Sequence, residues 1–193
     1  MFKFLDLLKK KKSNPIPTIK ATAQHKIDDK RQHEIFLTEL EDLLTSSNLF
    51  KAQYIKQYKS LYKPYKAFTG KDYTLFSKQP NFIESLSEEA QKLKKNEVKK
   101  YSKNIVFLAS RRAYARVTLD RFKQDNLFKE VILIFPENDL ICKTVIAQKK
   151  MYNKKIMPIS KAPIYPLKSC IRCPSCSQGI IYKPYIKNLT NNL

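Results

Sequence analysis

The chain has 193 residues, 42% of them hydrophobic and with eleven Phe beside eleven Tyr, enough apolar mass for one main core and too much for a wholly disordered chain. Thirty-eight Lys and Arg against seventeen Asp and Glu give a formal charge of +21, which calls for a polyanion or an anionic surface as partner, nucleic acid first. No run reaches the roughly 18 apolar residues of a membrane span, and "MFKFLDLLKKKK" places its charges after its apolar stretch, the reverse of a secretory signal.

Residues 1–26 read as a basic arm and linker. Phe2, Phe4, Leu5 and Leu8 oppose a lysine run, giving either an unstructured arm or an amphipathic tip for a membrane surface, and "SNPIPTIKATAQ" is extended. Residues 27–102 read as a helical region. Ile35, Phe36, Leu40, Leu43 and Leu44 recur at helical spacing behind Asp28 and Asp29, which suit a first turn. Tyr54, Tyr58 and Tyr62 then follow at i, i+4, i+8 with Lys56, Lys59, Lys63 and Lys66 among them, up to a stop at Pro64. Such a stripe is either core or a platform on which bases stack while ammonium groups meet phosphates. Ser85 and Glu88 form an S-x-x-E capping box before a lysine-rich helix.

Residues 103–161 read as an α/β unit. "KNIVFLAS" and "KEVILIFPEND" are short apolar runs rich in branched residues, separated by the helical "RRAYARVTLDRFKQDNLF"; "LICKTVIAQKKMYN" is a further helix and "KKIMPIS" a third strand. The order β-α-β-α-β implies a Rossmann-like unit with a short parallel sheet and its polar site beyond the carboxyl ends of the strands. Residues 162–193 read as a basic tail that carries the clustered cysteines.

Within this frame the arginines are unevenly spread. The chain has six, and Arg111, Arg112, Arg116 and Arg121 fall within eleven residues. With Ser110 as N-cap after the first strand, Arg111 and Arg112 enter a helical first turn that favours an anion. Arg112, Arg116 and Lys123 share one face, with Ala115 and Phe122 as an apolar flank. Phosphate contact is one reading, and pairing of Arg116 with Asp120 is the other. Acidic residues are missing between Asp42 and Asp72, where six lysines lie, and after Asp139, where nine lysines and Arg172 lie. A phosphate backbone is bound by such one-signed fields.

An enzyme reading is available from Glu137 and Asp139, two carboxylates that would reach the strand edge beside Arg111 and hold Mg²⁺ for work on a phosphodiester. Only Gly70 and Gly179 are glycines, so a P-loop and a G-x-G-x-x-G are excluded; no H-E-x-x-H or G-x-S-x-G occurs, and His25 and His33 read as surface residues.

"CIRCPSCSQG" places Cys170, Cys173 and Cys176 at C-x-x-C-x-x-C spacing ahead of the strand-like "IIYKPYI". It resembles one knuckle of a zinc ribbon. Structural zinc takes four ligands, and Cys142 supplies the fourth if its helix packs beside the tail, with a histidine or a partner chain as alternatives. The same spacing begins the bacterial ferredoxin pattern but lacks its fourth cysteine; oxidisable thiols are the third reading. In a reducing compartment, cytoplasm or organelle matrix, a structural zinc staple is favoured.

The sequence thus implies an intracellular nucleic-acid-binding protein, RNA before DNA, of the kind found in ribonucleoproteins and ribosomes. Its contacts would be Arg111, Arg112, Arg116, Lys123, Tyr58, Tyr62, Lys59, Lys63, Lys66 and Arg172. A metal-dependent phosphodiesterase or phosphotransferase is the first alternative, and a membrane-surface or secretion-associated interaction protein the second.

Overall fold

Phe36, Leu40, Leu43 and Leu44 draw one apolar stripe along α1 (Ala23–Ser47), and their side chains are fully buried. The computed structural model describes residues 23–63, 71–125, 128–137, 142–173 and 180–186, without the side chains of 23–28 and Arg172. Lys66, Asp139, Cys176 and residues 1–22 of the expected arm and linker 1–26 lie outside the described residues, and 23–26 belong to α1. Helix α1 stops where the Ser47 hydroxyl bonds back to the Leu44 carbonyl at 2.8 Å and Asn48 turns left-handed at φ 54°. The Asn48 carbonyl, freed from the helix, accepts the Ser87 hydroxyl at 2.6 Å.

Helix α2 (Ala52–Ser60) buries Ile55 and Tyr58. The tyrosine stripe is therefore core at Tyr58 and Tyr62, which are 0% and 5% exposed. Tyr58 stacks on Phe76 at 4.6 Å between ring centres, while Phe50 meets Tyr58 edge-on at 5.1 Å and Phe36 meets Tyr62 at 5.3 Å. Offset and edge arrangements of this kind add to simple area burial. Each buried hydroxyl has a partner: Tyr58 bonds the Ser85 hydroxyl, and Tyr62 donates to the Asp72 carbonyl at 3.2 Å.

The expected capping box at Ser85 and Glu88 does not form: Ser85 is buried, its hydroxyl donating to the Phe82 carbonyl at 2.6 Å, and the N-cap falls on Ser87 instead. Ser87 caps the short α3 (Glu88–Gln91), accepting the Ala90 N–H at 3.1 Å. The following helix, α4 (Lys95–Gln124), opens with the Glu97 carboxylate accepting the Lys94 N–H at 3.2 Å and runs thirty residues without Gly or Pro.

Helix α4 overturns the expected Rossmann-like unit. "KNIVFLAS" is not a first strand but the middle of α4, and Ser110 is an interior helical residue rather than an N-cap. Ile105, Val106, Leu108 and Ala109 are all buried, with α1 and the 3₁₀ turns Asp72–Thr74 and Phe76–Lys78 packed against the helix. A helix buried over a broad arc carries consecutive apolar residues, as a buried strand does.

With no strand at 103–110 there is no β-α-β crossover, and the sheet is antiparallel. β1 (Glu130–Ile134) lies between β2 (Ile156–Pro158) and β3 (Ile181–Tyr185), with Ile132 opposite Ile156 on one side and Lys183 on the other. The runs at 130–134 and 156–158 are strands as expected, and α5 (Lys143–Tyr152) is the expected helix between them. After α5 the chain reverses at Lys154, φ 59°, whose N–H donates to the Leu133 carbonyl at 2.8 Å. Both outer strands contain proline, Pro158 and Pro184, which suits sheet edges. Val131 and Leu133 join the same apolar cluster as Phe36 and Ile105, so the expected division at 102/103 falls inside one helix of one core.

Candidate nucleic-acid interface

At about 100° per residue, the face of α4 holding Arg112, Arg116 and Lys123 is the one turned toward α1. Glu39 lies on the buried stripe of α1, its side chain 2% exposed, and a carboxylate there requires a cation. Arg112, 6% exposed, supplies it: Nε donates to Glu39 Oε2 at 2.6 Å, and an NH1 donates to the Ile164 carbonyl at 3.0 Å and the Pro166 carbonyl at 2.5 Å. Arg116 bonds the other oxygen of Glu39 from a more exposed position. Burial alone pushes the Glu39 carboxyl up, but the hydrogen bonds and charges of Arg112 and Arg116 outweigh it and hold the group below the usual carboxylate range. Further along, Asp120 pairs with Arg31 at 2.8 Å and with Lys123 at 3.7 Å. The guanidinium is needed here because one group must serve a carboxylate and two carbonyls from a fixed fork, which an ammonium cannot do.

The opposite face of α4 is open. Asn96, Lys100, Lys103, Phe107, Arg111, Tyr114, Thr118 and Arg121 fall within about 40° of one line along the helix. Lys100, Lys103, Arg111, Tyr114 and Arg121 are exposed, and no acidic residue lies on this line between Asn96 and Arg121. Arg111 places its guanidinium carbon 5.3 Å from the Phe107 ring centre, within cation–π range, and Phe107 in turn rests 5.5 Å from Tyr73. The Arg111 charge is thereby held on the outer surface. Lys103 to Arg121 spans about 27 Å of helix.

Compared with family models, curated proteins and solved structures, the chain matches none.

Of the other expected contacts, Tyr58 and Tyr62 are in the core, Lys63 is exposed, and Lys59 is tied to Glu41 at 2.5 Å. That pair edges a cleft of about 590 Å³ between α1 and α2, lined also by Lys30, His33, Leu37 and Lys56. Partial burial there lowers the His33 pKa, with Glu34 opposing. Lys66 and the Arg172 side chain are not described. Glu137 is exposed after β1, while Arg111 stands mid-helix, so the shared sheet edge on which the phosphodiesterase reading depended does not exist; Asp139 lies outside the described residues.

Cys170 is buried on the core, and its carbonyl accepts the Cys173 N–H at 2.9 Å; Cys142 precedes α5 and packs on the same core. Among the described residues no three His, Cys, Asp or Glu side chains group closely enough for a metal ion, and Cys176 is not described. No helix of the described residues is long and apolar enough to cross a membrane.

Lys100, Lys103 and Tyr114 were not singled out in sequence. The signal for Lys100 and Tyr114 is the seven-residue recurrence of Lys100, Phe107, Tyr114 and Arg121, with Lys103 three residues after Lys100, which becomes a face only when 95–124 is one helix.

Proposed function

We propose that this protein binds nucleic acid through the open face of α4, with phosphates on Lys100, Lys103 and Arg111. The observation that carries this reading is a cationic helix face, free of acidic residues from Asn96 to Arg121, on a chain of formal charge +21. A ligand of one negative sign would neutralise such a face along its length and release counterions. RNA within a ribonucleoprotein is the favoured form, since long cationic segments at 43–71 and beyond Asp139 then find a large anionic partner. The test is fluorescence anisotropy with a labelled RNA of mixed sequence at low salt. Binding by the wild type and a loss of at least tenfold in the Lys100→Ala, Lys103→Ala, Arg111→Ala triple variant support the proposal; wild-type affinity in the variant removes the α4 face.

A structural zinc on Cys142, Cys170, Cys173 and Cys176 is a separate proposal that rests on the cysteine spacing. One zinc per purified chain supports it, and a metal-free, fully folded chain ends it.

A further inference from the structure

We propose that the α4 face takes single-stranded rather than duplex nucleic acid, with Tyr114 as the ring on which an unpaired base stacks; this rests on the phosphate-binding reading above.

Tyr114 is 56% exposed, the most exposed large hydrophobic side chain among the described residues. Its ring has no aromatic neighbour and its hydroxyl no hydrogen-bond partner among those residues, whereas Tyr58, Tyr62, Tyr165 and Tyr182 all have hydroxyl partners. A tyrosine left this open in the middle of a helix is not serving the core. Its place on the face adds the second observation. Arg111 precedes it by one turn, already anchored over Phe107, and Thr118 follows by one turn with its hydroxyl bonded to the Tyr114 carbonyl at 2.9 Å. The ring is therefore flanked on one side by a fixed guanidinium and on the other by a small side chain whose hydroxyl is turned back onto the helix.

Bases in a duplex are stacked on each other and present only their edges, so an isolated exposed ring gains little from one. Unpaired bases present a π-face, and base–aromatic stacking is tolerant of sequence. Cations at Lys100, Lys103 and Arg111 would meet the phosphates to one side of the stacked base. The pattern of charge, ring and charge along about 27 Å of helix suits a short stretch of unpaired strand laid lengthwise.

The deciding experiment measures anisotropy of a labelled 12-nucleotide uridine strand and of a labelled blunt RNA duplex against wild type, Tyr114→Ala and Tyr114→Phe, with thermal melts showing that each variant folds. Expected are tighter binding of the single strand by the wild type, a loss of roughly tenfold for the single strand in Tyr114→Ala, no change on the duplex, and recovery in Tyr114→Phe. Equal losses on both ligands, or no loss on the strand, overturn the stacking role while salt-sensitive binding leaves the phosphate reading standing. Failure of the wild type to bind either ligand removes both.

Discussion

Glu39 and Arg112 illustrate how one buried charge dictates its surroundings. A lone carboxylate at this depth would be expelled or neutralised, so its retention depends on Arg112 and Arg116 from α4. Removing Arg112 leaves Glu39 with only the more exposed partner and strips donors from the Ile164 and Pro166 carbonyls. Arg112→Ala should therefore cost about 3–5 kcal/mol, read by urea unfolding, and Arg112→Lys should recover little of it. Glu39→Leu together with Arg112→Leu should cost less than the two single changes combined, because neither leaves a stranded charge. The pair also sets an acid limb. Because the folded Glu39 pKa is lowered, the unfolded chain binds the proton more readily, so the contribution is fully present above the ordinary glutamate value of about 4.3 and is lost as pH falls through the lower folded value. Glu39→Gln should flatten that part of the stability profile below about pH 4.3; an unchanged acid limb would assign it to other carboxylates.

At the scale of elements, what the sequence revealed depended on how broad an arc each element buries. Helix α1 is covered on one stripe, and its Phe36, Leu40, Leu43, Leu44 spacing was legible. The strands at 130–134 and 156–158 were legible from branched residues between turn signals. The middle of α4 was not, since Ile105, Val106, Leu108 and Ala109 are buried over a broad arc and Phe107, the residue between them on the open face, is apolar too, so no polar residue marks the helical period within 105–109. From that one segment followed the parallel sheet, the N-cap at Ser110 and the outward direction expected of Arg112. The α5–β2 junction carries a cost the sequence also hid. Lys154 is left-handed at φ 59°, a conformation unfavourable for a residue with a Cβ. Lys154→Gly should relieve it and raise stability by about 0.5–1 kcal/mol, with the Leu133 carbonyl contact kept. A destabilised Lys154→Gly protein, measured by the same unfolding midpoint, would mean that the aliphatic stem of Lys154 contributes packing that outweighs the strain.

For the whole molecule the question is whether the +21 charge acts as a diffuse cloud or through the α4 face. A diffuse field responds to net charge alone, so any three lysines or arginines removed from the surface have the same effect. A contact face responds to position. Every phosphate that goes unneutralised lowers the dependence of log K on log salt by about 0.7 for single strands. Replacing Lys100, Lys103 and Arg111 by alanine should therefore flatten that slope by about 2. The same three-charge reduction at exposed Lys143, Lys150 and Lys155, on and beside α5, should leave the slope nearly unchanged and lower affinity only slightly. Both variants have the same net charge, so the comparison separates position from amount. Equal flattening in the two variants would show that the cations act collectively and that α4 owes its exposed charges to solvation; a difference confined to the α4 variant would make the central helix of the core also its binding element, one side packed on α1 through Glu39 and the other given to the polyanion.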